Sequence, residues 1–258
     1  MKYRPSSSIV KSLCALAAMV CLTAAQASAA LIDLTPQGNQ INSANSVTFA
    51  ALQADPTATI VVGDKIFTGF SYAGTNDMPP SSAINVLGFK DPAGNWGLTF
   101  QGAFLDLPGL PNSDAKIRFA VEVSPAALAQ GWRISDAHLV LHGAGMGDDS
   151  FFSIIESFTD VNNQSANQSM KVQMSTLGPL TPQNPFIDLS DMIVFNQLHT
   201  KLFVTKDILA IAAASATEPS QGSVIDQSFS QEQIPEPATL VLASLSGLAM
   251  VSIARRRG

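Results

Sequence analysis

Lys116-Ile117-Arg118-Phe119-Ala120-Val121-Glu122-Val123 decides the fold class. Its odd positions are apolar and its even positions polar or small, so Ile117, Phe119, Val121 and Val123 fall on one face of an extended chain. This is the pattern of a half-buried strand. The same alternation runs through 65–72, 84–89, 96–100, 137–142, 151–158, 171–174, 201–204 and 224–229. Gly63-Asp64 and Asp91-Pro92-Ala93-Gly94-Asn95 are turn sequences, and the second joins two apolar runs into a hairpin. Many short strands with turns between them predict a mainly β domain, an antiparallel β-sandwich of jelly-roll-like type. One short helix is expected over 207–214, where Asp207 offers a cap and the alanines favour continuation, with a short connector as the other reading. The Asn-, Gln- and Ser-rich stretch 160–169 and the proline-rich stretch 178–185 read as loops, and 215–234 begins polar and ends as a proline-marked stem.

The chain has 258 residues, and its mean hydropathy of +0.21 is that of a folding polypeptide. Between residues 30 and 235 there are 8 basic and 19 acidic residues, a formal charge of −11. The lysines and arginines there stand singly, without the cationic cluster that binding to phosphates requires, which excludes nucleic acid as a partner and disfavours anionic lipid. Cys14 and Cys21 lie upstream, so this body is cysteine-free and has neither disulfides nor thiol chemistry.

Both ends carry addresses. Lys2, Arg4 and Lys11 precede an apolar run over 13–22, and Ala27-Ser28-Ala29 supplies the small residues that signal peptidase accepts, placing cleavage at Ala27 and Ala29 and the signal peptide at 1–29. The folded domain then covers 30–233. At the other end Pro235-Glu236-Pro237 is followed by an uncharged stretch over 238–254 and by Arg255-Arg256-Arg257. As a helix, 238–254 spans about 25 Å, close to a hydrocarbon core of ~30 Å. The arginines stop transfer and keep the C-terminus cytoplasmic, with the body outside. The prolines hold the chain extended where a protease can reach it.

The segment 234–258, with Pro235, Glu236 and Pro237, an apolar helix containing Gly247-Leu248 and the arginine cluster, resembles the PEP-CTERM sorting signal of Gram-negative bacteria. That resemblance implies an exported exosortase substrate, anchored transiently in the inner membrane and passed to the cell surface or an extracellular matrix containing polysaccharide. Signal peptidase and exosortase would be its processing partners. The order Val62-Gly63-Asp64-Lys65-Ile66-Phe67, Phe70-Ser71-Tyr72, Gly97-Leu98-Thr99-Phe100, Ile134-Ser135-Asp136-Ala137 and a late Lys206-Asp207-Ile208 is similar to bodies that commonly carry this signal, and implies an exported β-rich domain over most of 59–237.

Chemistry is sparse. His138 and His142 are four apart and share one face of a strand or helix, with Asp148 and Asp149 in a nearby glycine-rich loop as further metal donors; the competing reading, which is favoured, is an outward strand surface beside a turn. Gly69-Phe70-Ser71-Tyr72-Ala73 approximates a nucleophile elbow, but Gly74-Thr75-Asn76-Asp77-Met78-Pro79-Pro80 cannot promptly start the helix that an elbow needs, so Ser71 reads as structural. Trp96, Trp132 and Tyr72 offer a sugar-stacking surface, against which the alternation of Trp96 with Leu98 and Phe100 argues for the core. A pair of glycosidase carboxylates among the nineteen is left open. The expectation is a structural or adhesive component without catalysis or cofactor; the alternatives are a carbohydrate-binding module and a metal-dependent hydrolase.

Overall fold

The computed structural model describes residues 31–162, 165–176 and 186–234. Chain order runs through β1 (Leu31–Asp33), β2 (Asn42–Thr48), α1 (Phe49–Ala54), β3 (Thr59–Val62), β4 (Lys65–Gly74), β5 (Asn85–Lys90), β6 (Trp96–Asp106) and β7 (Ser113–Val123). It continues with α2 (Pro125–Ala129), β8 (Trp132–His142), β9 (Phe151–Asp160), β10 (Ser165–Ser175), β11 (Phe186–Asp188), β12 (Ser190–His199), β13 (Lys201–Ile211) and β14 (Ser220–Gln233). An eight-stranded sheet has the order β1-β3-β4-β7-β13-β9-β10-β11 and a six-stranded sheet the order β12-β8-β14-β6-β5-β2. Apart from the parallel β1–β3 pair, the described strand pairings are antiparallel.

The alternation of β7 works as its sequence requires: Ile117, Phe119 and Val121 are buried, and they face a core that also receives Leu98 and Phe100 from β6 and Ile225 and Phe229 from β14. Phe119 ties the layers together, with ring centroids 6.1 Å from Phe67, 6.2 Å from Phe70 and 5.7 Å from Phe100 of the other sheet. The two short helices are capped locally: Thr48 Oγ1 accepts from Ala51 N, and Ser124 Oγ accepts from Ala127 N with Pro125 opening the turn. At the β3–β4 hairpin Gly63 has φ +58°, and at the β5–β6 hairpin Asp91 Oδ1 accepts from Asn95 N.

Residues 207–211 of the expected helix over 207–214 are instead the second half of β13, which lies between β7 and β9, and 212–214 follow it without regular structure. Asp207 pairs in register with Lys116 on one side and Ile155 on the other, and its carboxylate is 3.1 Å from Lys116 Nζ. A helix preference of a few tenths of a kcal/mol per residue cannot compete with two ladders of backbone hydrogen bonds and the burial of Ile208 and Ala210. Of the expected loop 160–169, residues 165–169 belong to β10, paired with β9. The strand expected over 224–229 is the middle of β14, which extends through most of the stretch 215–234 read as polar and then stem-like, and is flanked by β8 and β6. The expected loop 178–185 lies outside the described residues, as do the signal peptide, the Pro235, Glu236 and Pro237 motif, the 238–254 span and the terminal arginines. Among the described residues no helix is long and apolar enough to cross a membrane.

Candidate binding cleft

β8 sends Ala137, Leu139 and Leu141 into the core and turns His138, Val140 and His142 to the outer face of the six-stranded sheet. Its neighbour β14 is registered so that Ser228, Asp226 and Val224 lie opposite His138, Val140 and His142. Phe89 of β5, the hairpin residues Asp91, Pro92 and Ala93, and Ile41 close the other side. The result is a cleft of about 460 Å³ whose walls are mainly apolar and whose floor is polar.

Each polar group of the floor is held by another. His142 Nε2 is 3.0 Å from Asp226 Oδ2, and Thr99 Oγ1 donates to Asp226 Oδ1 and lies 3.0 Å from Asn42 Oδ1. His138 Nε2 is 3.0 Å from Asp136 Oδ1 and 3.3 Å from Ser230 Oγ. Burial pushes the Asp226 carboxyl up, and the bonds from Thr99 and His142 only partly offset it. Burial would raise Asp91 as well, but hydrogen bonds from Asn95 and Ser228 and the nearby His138 hold it below the usual carboxylate range. Ser228 Oγ donates to Asp91 Oδ2 over 2.8 Å, and Asn95 Nδ2 donates to the same oxygen over 2.9 Å.

A second, smaller pocket of about 170 Å³ lies on the far side of the hairpin, where Gly94 and Asn95 join Asp64, Lys65, Trp96, Trp132 and Gln231. The structure therefore brings together two of the three expected stacking aromatics. Trp96 is partly buried against the core, its ring packed on Gly63, whose added Cβ would stand 2.4 Å away, with Lys90 Nζ 4.8 Å from the ring centroid. Tyr72 is elsewhere: its hydroxyl donates to Pro79 O over 2.7 Å, its ring packs on Phe49, and burial pushes its pKa up to about 12.

His138 and His142 do share a face, but the carboxylates that approach them are Asp136 and Asp226, not Asp148 or Asp149. Among the described residues no group of three or more His, Cys, Asp and Glu side chains is arranged to hold a metal ion. Ser71 sits inside β4, which continues as strand to Gly74 where an elbow would turn into a helix. His199 is buried against Phe195, and burial holds its imidazole below the ordinary value. Sequence reasoning missed Phe89, Asp91, Asp226 and Ser228 as cleft residues; the alternation placed them on strands and a turn, without saying which strands would be neighbours.

No family model matches the chain, and no curated protein matches it. Among solved structures it is similar to a carbohydrate-binding module of the β-sandwich superfamily, at 10% identity and a TM-score of 0.29 over 64% of this chain and 57% of that one. It is also similar to the enzymatically active domain of bacteriophage CBA120 tailspike protein 4, at 11% identity and a TM-score of 0.26 over 65% of this chain and 19% of that one. A DUF4465 family protein from Bacteroides caccae aligns at 8% identity and a TM-score of 0.26, over 64% of this chain and 87% of that one. The chain thus spans 57% and 19% of the first two, and likenesses at these values assign no function.

Proposed function

We propose that this chain is an exported, non-catalytic structural or adhesive component of the cell envelope or extracellular matrix, a jelly-roll-like sandwich delivered through a PEP-CTERM signal that exosortase recognises. The observation that carries the binding half of this reading is the fixed floor of the cleft. His138, His142, Asp91 and Asp226 are each tied to a neighbour, which supports reading them as a preset polar surface between apolar walls. The delivery half rests on the order of basic flank, apolar run and small residues at one end, and of Pro235-Glu236-Pro237, apolar span and arginines at the other. Mass spectrometry of the protein recovered from cells with and without an exosortase tests delivery. The expected outcome is loss of the arginine-terminated tail only where exosortase is present; an intact tail in both strains rejects it.

A second reading, a carbohydrate-binding module, is supported by the meeting of Trp96 and Trp132 beside the polar side chains of Asp64, Asn95 and Gln231. Glycan-array binding that falls at least tenfold on Trp132→Ala is the expected result, and equal signals from both proteins would reject this pocket as the sugar site.

A further inference from the structure

Lys206, Glu156 and Gln227 meet inside the core, each at 0% exposure. Lys206 and Glu156 are register partners on the adjacent strands β13 and β9, and Gln227 reaches them from β14 of the opposite sheet. Lys206 Nζ donates to both Glu156 Oε2 and Gln227 Oε1. Ile154 and Phe158 flank Glu156 on its face of β9, and Val204 and Ile208 flank Lys206 on β13, all of them buried. Among the described ion pairs this one alone has both partners wholly buried.

As a plain salt bridge the arrangement is poor. Two charges taken from water are compensated only when their remaining lone pairs are satisfied, and Glu156 Oε1 has no hydrogen-bond partner. Burial pushes the Glu156 carboxyl up and the Lys206 ammonium down, the direction that moves the proton from nitrogen to oxygen and leaves a neutral amine beside a neutral acid. A neutral amine is a nucleophile, a carboxamide an electrophile, and a carboxylic acid next to the amine a proton relay.

We propose that Lys206 and Gln227 condense into an intramolecular isopeptide bond that staples the two sheets together, with Glu156 as the proton relay. The Nζ lone pair adds to Gln227 Cδ to give a tetrahedral carbon. Glu156 gives its proton to Nε2 and takes one from Nζ, the Cδ–Nε2 bond breaks, and ammonia leaves. One N–C bond forms, one breaks, no electron acceptor is needed, and Glu156 ends as it began. In a body without cysteine this bond takes the place of a disulfide as the covalent tie across the core.

Trypsin reads the bond directly, because no Lys or Arg lies between Lys206 and Arg255. The purified full chain, denatured and digested, is expected to resist cleavage after Lys206. It should yield a single internally looped peptide that begins at Leu202, contains Gln227 and is lighter than its sequence by about 17 Da. Glu156→Gln keeps the side-chain shape but removes the acid, and should restore cleavage after Lys206 in a chain that still folds. Complete cleavage after Lys206 in the unaltered protein overturns the proposal. So does a peptide of 134–171 joined to the Leu202 peptide, which would mark a Lys206–Glu156 amide formed with loss of water. A looped peptide that persists undiminished in Glu156→Gln overturns the role of Glu156.

Discussion

Asp91 binds two structural elements with one carboxylate: it closes its own hairpin through Asn95 and fastens it to β14 through Ser228. Its folded pKa is depressed, so its contribution is present above the unfolded value and is lost as pH falls through the folded one. Asp91→Asn has one oxygen to offer where the carboxylate has two and carries no charge beside His138. The expected loss is about 1 kcal/mol at neutral pH, discounted toward the lower end because the group is partly solvated, which is a fall of roughly 2–4 °C in melting temperature. Thermal melts of both proteins across pH check this: the gap should close below the ordinary aspartate value of about 3.9, and a gap that stays constant would contradict the assignment. The turn sequence makes Asp91 legible as a hairpin residue. Its bond to Ser228 is not legible there, because 137 positions separate the two and nothing local couples them.

Among the elements, β6 and β14 approach each other unusually closely at Gly97. A Cβ built on Gly97 would stand 1.7 Å from the backbone oxygen of Gln227, and a main-chain atom in mid-sheet has little room to retreat. Gly97→Ala is therefore expected to destabilise the fold by about 3 kcal/mol, the upper end of the overpacking range. Denaturant unfolding should show the midpoint moving down with little change in slope; an unchanged midpoint would mean that the sheet yields there freely. The element map itself is partly visible along the chain. Strands β4, β7 and β8 are legible because one face of each is largely buried and the other largely not, which writes a period of two into the sequence, whereas β6 and β9 also bury consecutive residues at 97–100 and 152–154. β13 reads as helix over 207–214 because Asp207 and the alanines speak for a local conformation, whereas its state is set by β7 and β9 on either side. β14 is legible in its middle, 224–229, where the alternation marks a strand, but not at its ends, whose small and polar residues carry no such signal: a strand placed between two others needs no strong propensity of its own.

For the molecule as a whole, the residues fixed what can be written locally: a half-buried alternation, hairpin turns, a cysteine-free acidic body and the hydrophobic ends that carry the expectation of export. Tertiary structure decided what depends on strand order. It placed His138 beside Ser228 and His142 beside Asp226, set Trp96 and Trp132 around one pocket, and drove Lys206, Glu156 and Gln227 into the same dry interior. The physical reason is common to all three. Side-chain direction follows from a two-residue period and so can be read along the chain, whereas the identity of a neighbour across a sheet or a core follows from a topology chosen by the sum of all pairings at once.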